Sequence, residues 1–280
     1  MSEYDLFNRE PRQPREPLLA DKSDLNSPPP LAGGAGGGVA WLQQAIQSNL
    51  KELSVNAWAD ARYAFLSELP LNGAIERFVN KVLLAAEPWL QKEGASSEAA
   101  RRAAKIARCD RSDRDVEAVQ RAAYKVLREE DKLMGILRFK PYEASTATGT
   151  YQAVKGNTIS STTNNRLYIA LCAPSHCTIA LLGPHFARRF GKEAWAIVDE
   201  SRGLALFGKD GIWRLHSGVA WEGTTDESGK TSRSTEPDTY EALWKTYFKT
   251  ICNQSRLNLK LQRQFLPVRY WKYLTEMEGS

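Results

Sequence analysis

The chain has 280 residues, 42% hydrophobic and 25% charged, and its 38 Lys and Arg against 33 Asp and Glu leave a net charge of +5. This excludes a collagen, a coiled coil and a small disulfide scaffold, and the length suits one or two domains with a real core. The mild basicity permits a nucleic-acid partner without requiring one.

Four cysteines (Cys109, Cys172, Cys177, Cys252) with no Cys-x-x-Cys pair point to reduced thiols in a cytoplasmic protein. No apolar run approaches the roughly 18 residues of a membrane span, and the N-terminus carries no apolar signal segment. A membrane partner is therefore not expected.

In chain order, residues 1–38 hold six of the 13 prolines and the run Gly33 to Gly38, and read as a disordered Pro/Gly-rich tail that cannot offset its ordering entropy. Residues 39–277 read as an α+β domain, mostly helical with a small antiparallel β-sheet. Helical spacing governs 39–140, with a break at Ser67–Pro70 and an Ala- and Arg-rich stretch from Ser96 to Arg114. The helix Asp113–Met134 sets Val116, Val119, Ala123, Val126, Leu127 and Met134 on one stripe together with Glu130, for which Arg138 is the expected partner.

Sheet texture occupies 150–216, with β-type runs at Leu167–Cys172, Cys177–Leu182, Ala194–Val198, Leu204–Phe207 and Ile212–Leu215. Gly208-Lys209-Asp210-Gly211 predicts a hairpin turn between the last two. Pro184 to Phe190 predicts a short helix with proline at its first position and Gly191 just past its end. A polar loop follows at 223–237, then C-terminal helices over 239–277. Trp244, Tyr247, Phe248 and Trp271 are expected to anchor those helices on the apolar face of the sheet.

Most chemical motifs fail on spacing. Gly229-Lys230-Thr231 lacks the upstream glycine and strand of a phosphate loop, and no Gly-x-Ser-x-Gly elbow anchors a hydrolase triad. Cys172, His176 and Cys177 lack a fourth ligand, and the two cysteines read as small core residues. No metal or cofactor is called for.

Two basic stripes remain. Arg188, Arg189 and Lys192 border His185 on the short helix, and Arg256, Lys260 and Arg263 share a stripe on a helix predicted over Asn253–Pro267, beside an apolar stripe of Leu257, Leu261 and Phe265 whose far side Asn258 and Gln262 border. Seven cations against two acids between Thr239 and Met277, among Tyr247, Tyr270 and Trp271, fit a nucleic-acid surface as well as an aromatic core.

Three blocks, Lys125–Phe139, Tyr168–Arg202 and Glu241–Met277, resemble a bacterial family of DNA-metabolism or DNA-repair proteins of undetermined activity. Members of that family are typically encoded beside a radical-SAM protein proposed to act on DNA, and a related domain occurs fused to uracil-DNA-glycosylase-like proteins. Positions that match its motifs include Glu129, Arg138, His185, Arg189, Asp199, Trp244, Tyr247, Asn253, Arg256, Asn258, Trp271 and Glu276. The resemblance thus points to Glu129 where helix geometry points to Glu130. Where family members usually carry histidine two residues after the motif glutamate this chain has Asp131, and the family's usual N-terminal lobe is replaced by the low-complexity tail.

The expectation is a DNA-binding accessory that acts with a radical-SAM partner on DNA. The alternative is an enzyme acting on damaged DNA or a nucleotide, with His185 as acid or base and Glu129 or Asp199 orienting it. A non-DNA interaction domain is the third reading.

Overall fold

Capping residues set the helix starts in the first half of the chain. In the computed structural model, which describes residues 45, 49–93, 97–143, 150–153, 157–160, 166–219, 239–256 and 258–277, five helices described over their whole length precede the sheet. They are α1 (Leu50–Leu53), α2 (Val55–Phe65), α3 (Asn72–Glu93), α4 (Glu98–Arg108) and α5 (Arg114–Ile136). Ser54, Ser97 and Asp113 each accept a hydrogen bond from a backbone amide of the first turn of α2, α4 and α5. The Ala- and Arg-rich stretch becomes α4, whose Ala100, Ala104 and Ala107 face inward. Small side chains there let α4 lie close to Phe78, Val79 and Val82 of α3 in one apolar cluster. The expected tail at 1–38 and polar loop at 223–237 lie outside the described residues.

The second half is a five-stranded sheet in the order β1 (Lys140–Glu143), β4 (Arg166–Cys172), β5 (Ala194–Asp199), β6 (Leu204–Lys209), β7 (Ile212–Ser217), while β2 (Thr150–Ala153) and β3 (Asn157–Ser160) form a hairpin of their own. The sheet is mixed rather than purely antiparallel, since β4 and β5 run parallel with Leu167 opposite Ala194 and Cys172 opposite Asp199. Parallel neighbours need a crossover. That crossover is α6 (Ile179–Phe190), which takes in Ile179–Leu182 of the run Cys177–Leu182 expected as a strand and moves Pro184 from the first helical position to the interior. A short apolar run has no period of its own, so tertiary connectivity decided its state. The expected turn between β6 and β7 is present, with Asp210 and Gly211 both at positive φ, as a two-residue hairpin loop needs.

All six residues of β5 are buried. Helix α6 covers one face of the sheet, where Leu182 and Phe186 join Trp195, Ile197 and Leu206. The Trp195 indole fits because the residue opposite it is Gly208: a Cβ there would overlap the ring.

The C-terminal segment departs most from expectation. It forms α7 (Thr239–Ile251), a 3₁₀ turn at Gln254–Arg256, α8 (Leu259–Phe265) and further 3₁₀ turns at Val268–Tyr273 and Thr275–Met277. The helix expected over Asn253–Pro267 is broken because Asn258 turns extended and caps α8 by accepting from the Leu261 amide. The Arg256, Lys260 and Arg263 stripe is therefore divided between two elements. Trp244 is 38% and Tyr247 55% exposed, so neither anchors the sheet. Tyr270 takes that place, fully buried beside Val126, Leu133 and Ala170. Trp244 lies instead over the Arg138 guanidinium, whose partner is Glu276 at 2.7 Å rather than Glu130.

Candidate functional site

Helix α5 buries Val116, Val119, Ala122, Ala123, Val126, Glu129 and Leu133. Steps of three residues fall about 60° short of a full turn, so the stripe winds backwards around the helix and meets Glu129 instead of Glu130. Glu129 is 5% exposed and surrounded by donors. The Ser175 amide and the Arg269 guanidinium each reach Oε1 at 2.8 Å, Tyr270 Oη reaches it at 2.5 Å, and the His176 amide reaches Oε2 at 2.8 Å. Burial, with the Glu129 hydrogen bond second, pushes the Tyr270 hydroxyl well above its ordinary pKa, which keeps it a donor.

A second buried carboxylate works from the other side. Asp199 closes β5, accepts from the Ser201 amide and hydroxyl and from the Arg202 amide, and pairs with Arg202 Nη1 at 2.9 Å. The Arg202 guanidinium then donates to Pro174 O and Ser175 O at 3.0 Å each and to Glu68 at 2.8 Å. Glu68 itself stands at φ 59, a left-handed conformation costly for a side chain with Cβ. The loop it belongs to is tied on at two more points: the Cys177 amide donates to Leu66 O, and His176 Nδ1 lies 2.6 Å from Ser67 O.

Two buried acids, one arginine and a strained turn thus hold the five-residue loop Ala173–Cys177 at its amides and its carbonyls. A surface loop held this way has little freedom left. Ser175 is exposed and His176 half-buried at its tip. A carbonyl oxygen only accepts, so the Ser67 contact places the proton on Nδ1 and leaves Nε2 as the ring's working atom.

Of the residues singled out from sequence, Glu129 and Asp199 come together here through Arg202 and the loop. His185 does not join them: it lies on α6 with its ring edge-on to Phe186 at 4.8 Å. Arg188, Arg189 and Lys192 are exposed at the end of the same helix, and Arg188 donates to Pro184 O. Asn253 Oδ1 accepts from the Ser255 amide and hydroxyl, which makes it a turn former, and Asn258 is a helix cap. Arg256, Lys260 and Arg263 are exposed, and Gln262 is half-buried.

Sequence reasoning passed over Ser175 and Arg202, counted Arg269 only among the C-terminal cations, and read His176 only as a failed metal ligand. One available signal was the run Ala-Trp-Ala-Ile-Val-Asp, which puts Asp199 at the buried end of an apolar strand and demands a partner nearby. Among the described residues no group of three or more His, Cys, Asp and Glu side chains is placed to hold a metal. Cys172 and Cys177 are buried free thiols, and burial pushes Cys177 up to about 11. A cavity of about 10 Å³ under Tyr270, Leu133 and Cys172 has room for no more than a water.

Glu130 faces Arg62 and Tyr63, and burial, helped by Asp131 and opposed by Arg62, raises its carboxyl to about 7. The folded state therefore holds this proton more tightly than the unfolded chain, whose value is near 4.5. The sign follows: its favourable contribution is complete below pH 4.5 and is lost as pH rises to about 7. Glu130→Gln should match the wild type in urea at pH 4.5 and exceed it at pH 8, by up to about 3 kcal/mol. Equal stabilities at pH 8 would show that the folded state does not favour the protonated form.

No helix among the described residues is long and apolar enough to cross a membrane. The chain matches no curated protein and no solved structure. A family model described as a domain of unknown function, DUF4130, matches residues 97–276. That span takes in α4 to the last 3₁₀ turn and, with them, both buried carboxylates, the Ala173–Cys177 loop and the C-terminal helices, so the chain belongs to the DUF4130 family.

Proposed function

We propose that this chain is a DNA-binding accessory protein of DNA repair or DNA metabolism, working in the cytoplasm with a radical-SAM partner, and that α7 and α8 are its DNA-contacting arm. The observation that carries the reading is the exposure of that arm. Helix α8 buries none of its side chains. Leu243, Trp244, Tyr247, Ile251, Leu261 and Phe265 all stand at least partly in water, interleaved with Lys245, Lys249, Arg256, Lys260 and Arg263.

An apolar and aromatic surface of this extent calls for a partner. Rings beside cations suit a single strand, whose bases stack on the aromatics while its phosphates meet the lysines and arginines. The resemblance to a DNA-repair family supplies the biological setting and the radical-SAM partner.

Titration of a labelled single strand and a duplex at several salt concentrations tests the reading. With about four phosphates neutralised, the slope of log affinity against log salt on the single strand should be roughly −3. Lys260→Gln should weaken binding to all sequences alike and flatten that slope by somewhat less than one. Trp244→Ala should weaken binding by about 1–3 kcal/mol with the slope unchanged, because a stacking contact carries no charge. Folded protein with no affinity for either strand form at low salt would transfer the arm to a protein partner.

A further inference from the structure

The geometry points to a second, separate contact on this protein: a phosphate-binding subsite built by Ser175, His176 and Arg269 on the loop that Glu129 holds, flanked by Lys132 and Arg128 of α5. It rests on the nucleic-acid reading for the identity of its ligand, but not for its existence.

Backbone accounting comes first. In the loop, Pro174 O and Ser175 O are taken by Arg202, the Ser175 and His176 amides by Glu129, and His176 O by the Thr178 amide. The groups left to meet a ligand are side chains: the exposed Ser175 hydroxyl, which donates, and Nε2 of His176, which with the proton on Nδ1 accepts from a P–OH group and in the imidazolium form donates to an anionic oxygen. Arg269 stands beside them, because its Nη2 and the Ser175 amide share the same Glu129 oxygen. Among the described residues that guanidinium gives only Nη2 to Glu129 and Tyr270, lies over the Tyr270 ring at 4.7 Å and remains 47% exposed, which leaves its other N–H groups for a ligand in the fork geometry that suits phosphate.

Charge comes second. Arg128 and Lys132 lie one helical turn apart on α5, an arrangement that repels. The C-terminal 3₁₀ turn then adds Arg269 to them, and Glu129, already engaged by four donors, is the acid in their midst. Burial and then the charges of Arg269 and Arg128 press the Lys132 ammonium below its ordinary pKa, which reports how closely the cations crowd. A doubly charged phosphate group relieves that crowding. Holding the loop from behind removes the ordering cost when it binds.

Three histidines in the chain make the test direct, since each imidazole gives its own carbon-bound proton signal in NMR. Inorganic phosphate added to the intact protein should move the His176 ring signals saturably, with those of His185 and His216 nearly still. Arg269→Gln and Lys132→Gln should each weaken that response by about tenfold, the value of one charge-assisted hydrogen bond. Among the described residues Lys132 makes no hydrogen bond or ion pair with either buried carboxylate, so its variant keeps the test sound should Arg269→Gln disturb the fold. Lys260→Gln, on the arm, should leave the response unchanged.

A single strand carrying a 5′-phosphate, and the same strand with a 5′-hydroxyl, distinguish the sources. A response to the phosphorylated strand alone identifies a terminal phosphate, and an equal response to both identifies the backbone; either supports the subsite. A His176 signal that does not move with phosphate, or that moves equally in Lys132→Gln, overturns it. If that happens while Trp244→Ala still weakens DNA binding, the subsite falls and the functional reading stands. A saturable His176 response in a protein without DNA affinity does the opposite, keeping the subsite and removing the DNA-binding role.

Discussion

Glu129→Ala should destabilise the protein by about 3–5 kcal/mol, because it takes the shared acceptor from several donors at once. Four donors converge on that carboxylate, and the substitution leaves the Ser175 and His176 amides, the Tyr270 hydroxyl and the Arg269 guanidinium without their acceptor. Each orphaned buried group costs on the order of 1–3 kcal/mol, though relaxation and water entry recover part of it. Glu129→Gln retains one acceptor oxygen but turns an NH₂ group toward donors, so its loss should be intermediate. Urea denaturation measures the difference. Amide hydrogen exchange adds a local readout: Ser175 and His176 should lose protection in Glu129→Ala under conditions where the centre of β5 keeps its own. A loss below about 1 kcal/mol would mean that the carboxylate is not what holds the loop.

Trp195→Ala should cost a similar amount, about 3–5 kcal/mol, for a different reason. The indole is fully buried, stacked on Phe190 at 6.0 Å and tilted against Phe186 at 6.1 Å, so truncation empties the space between α6 and the sheet. Among the described residues its Nε1 has no hydrogen-bond partner, which is a standing cost of the native state. Trp195→Phe should therefore lose much less than Trp195→Ala, because removing an unsatisfied N–H offsets part of the lost apolar contact. Gly208→Ala tests the same site from across the strand pair, and crowding the indole there should cost about 1–3 kcal/mol. A Phe variant as damaged as the Ala variant would show that the indole N–H is satisfied after all.

Both predictions concern residues whose importance was only partly readable in the chain. The family resemblance marked Glu129 and Asp199, and helix arithmetic marked the neighbour Glu130, because a regular 100° step cannot foresee a stripe that drifts. Tyr270, Arg269 and Ser175 reach Glu129 from 141, 140 and 46 residues away. Contacts of that range leave no periodic trace.

The sequence by itself determined what local physics controls. Amphipathic spacing placed α3 and α5, the Ser67–Pro70 break separated α2 from α3, Asp210-Gly211 set the β6–β7 turn, and the mostly helical α+β class followed from the order of elements. Tertiary structure decided what depends on which surfaces meet. Ile179–Leu182, most of the run expected as a strand, became helix because parallel β4 and β5 need a crossover between them. The apolar face of α7 was legible as a face seeking a partner, yet periodicity is the same whether that partner is the chain's own sheet or another molecule. Tyr270 filled the place beside the sheet, and Trp244 was left at the surface. An amphipathic pattern records that burial is favourable, and only the completed packing records against what.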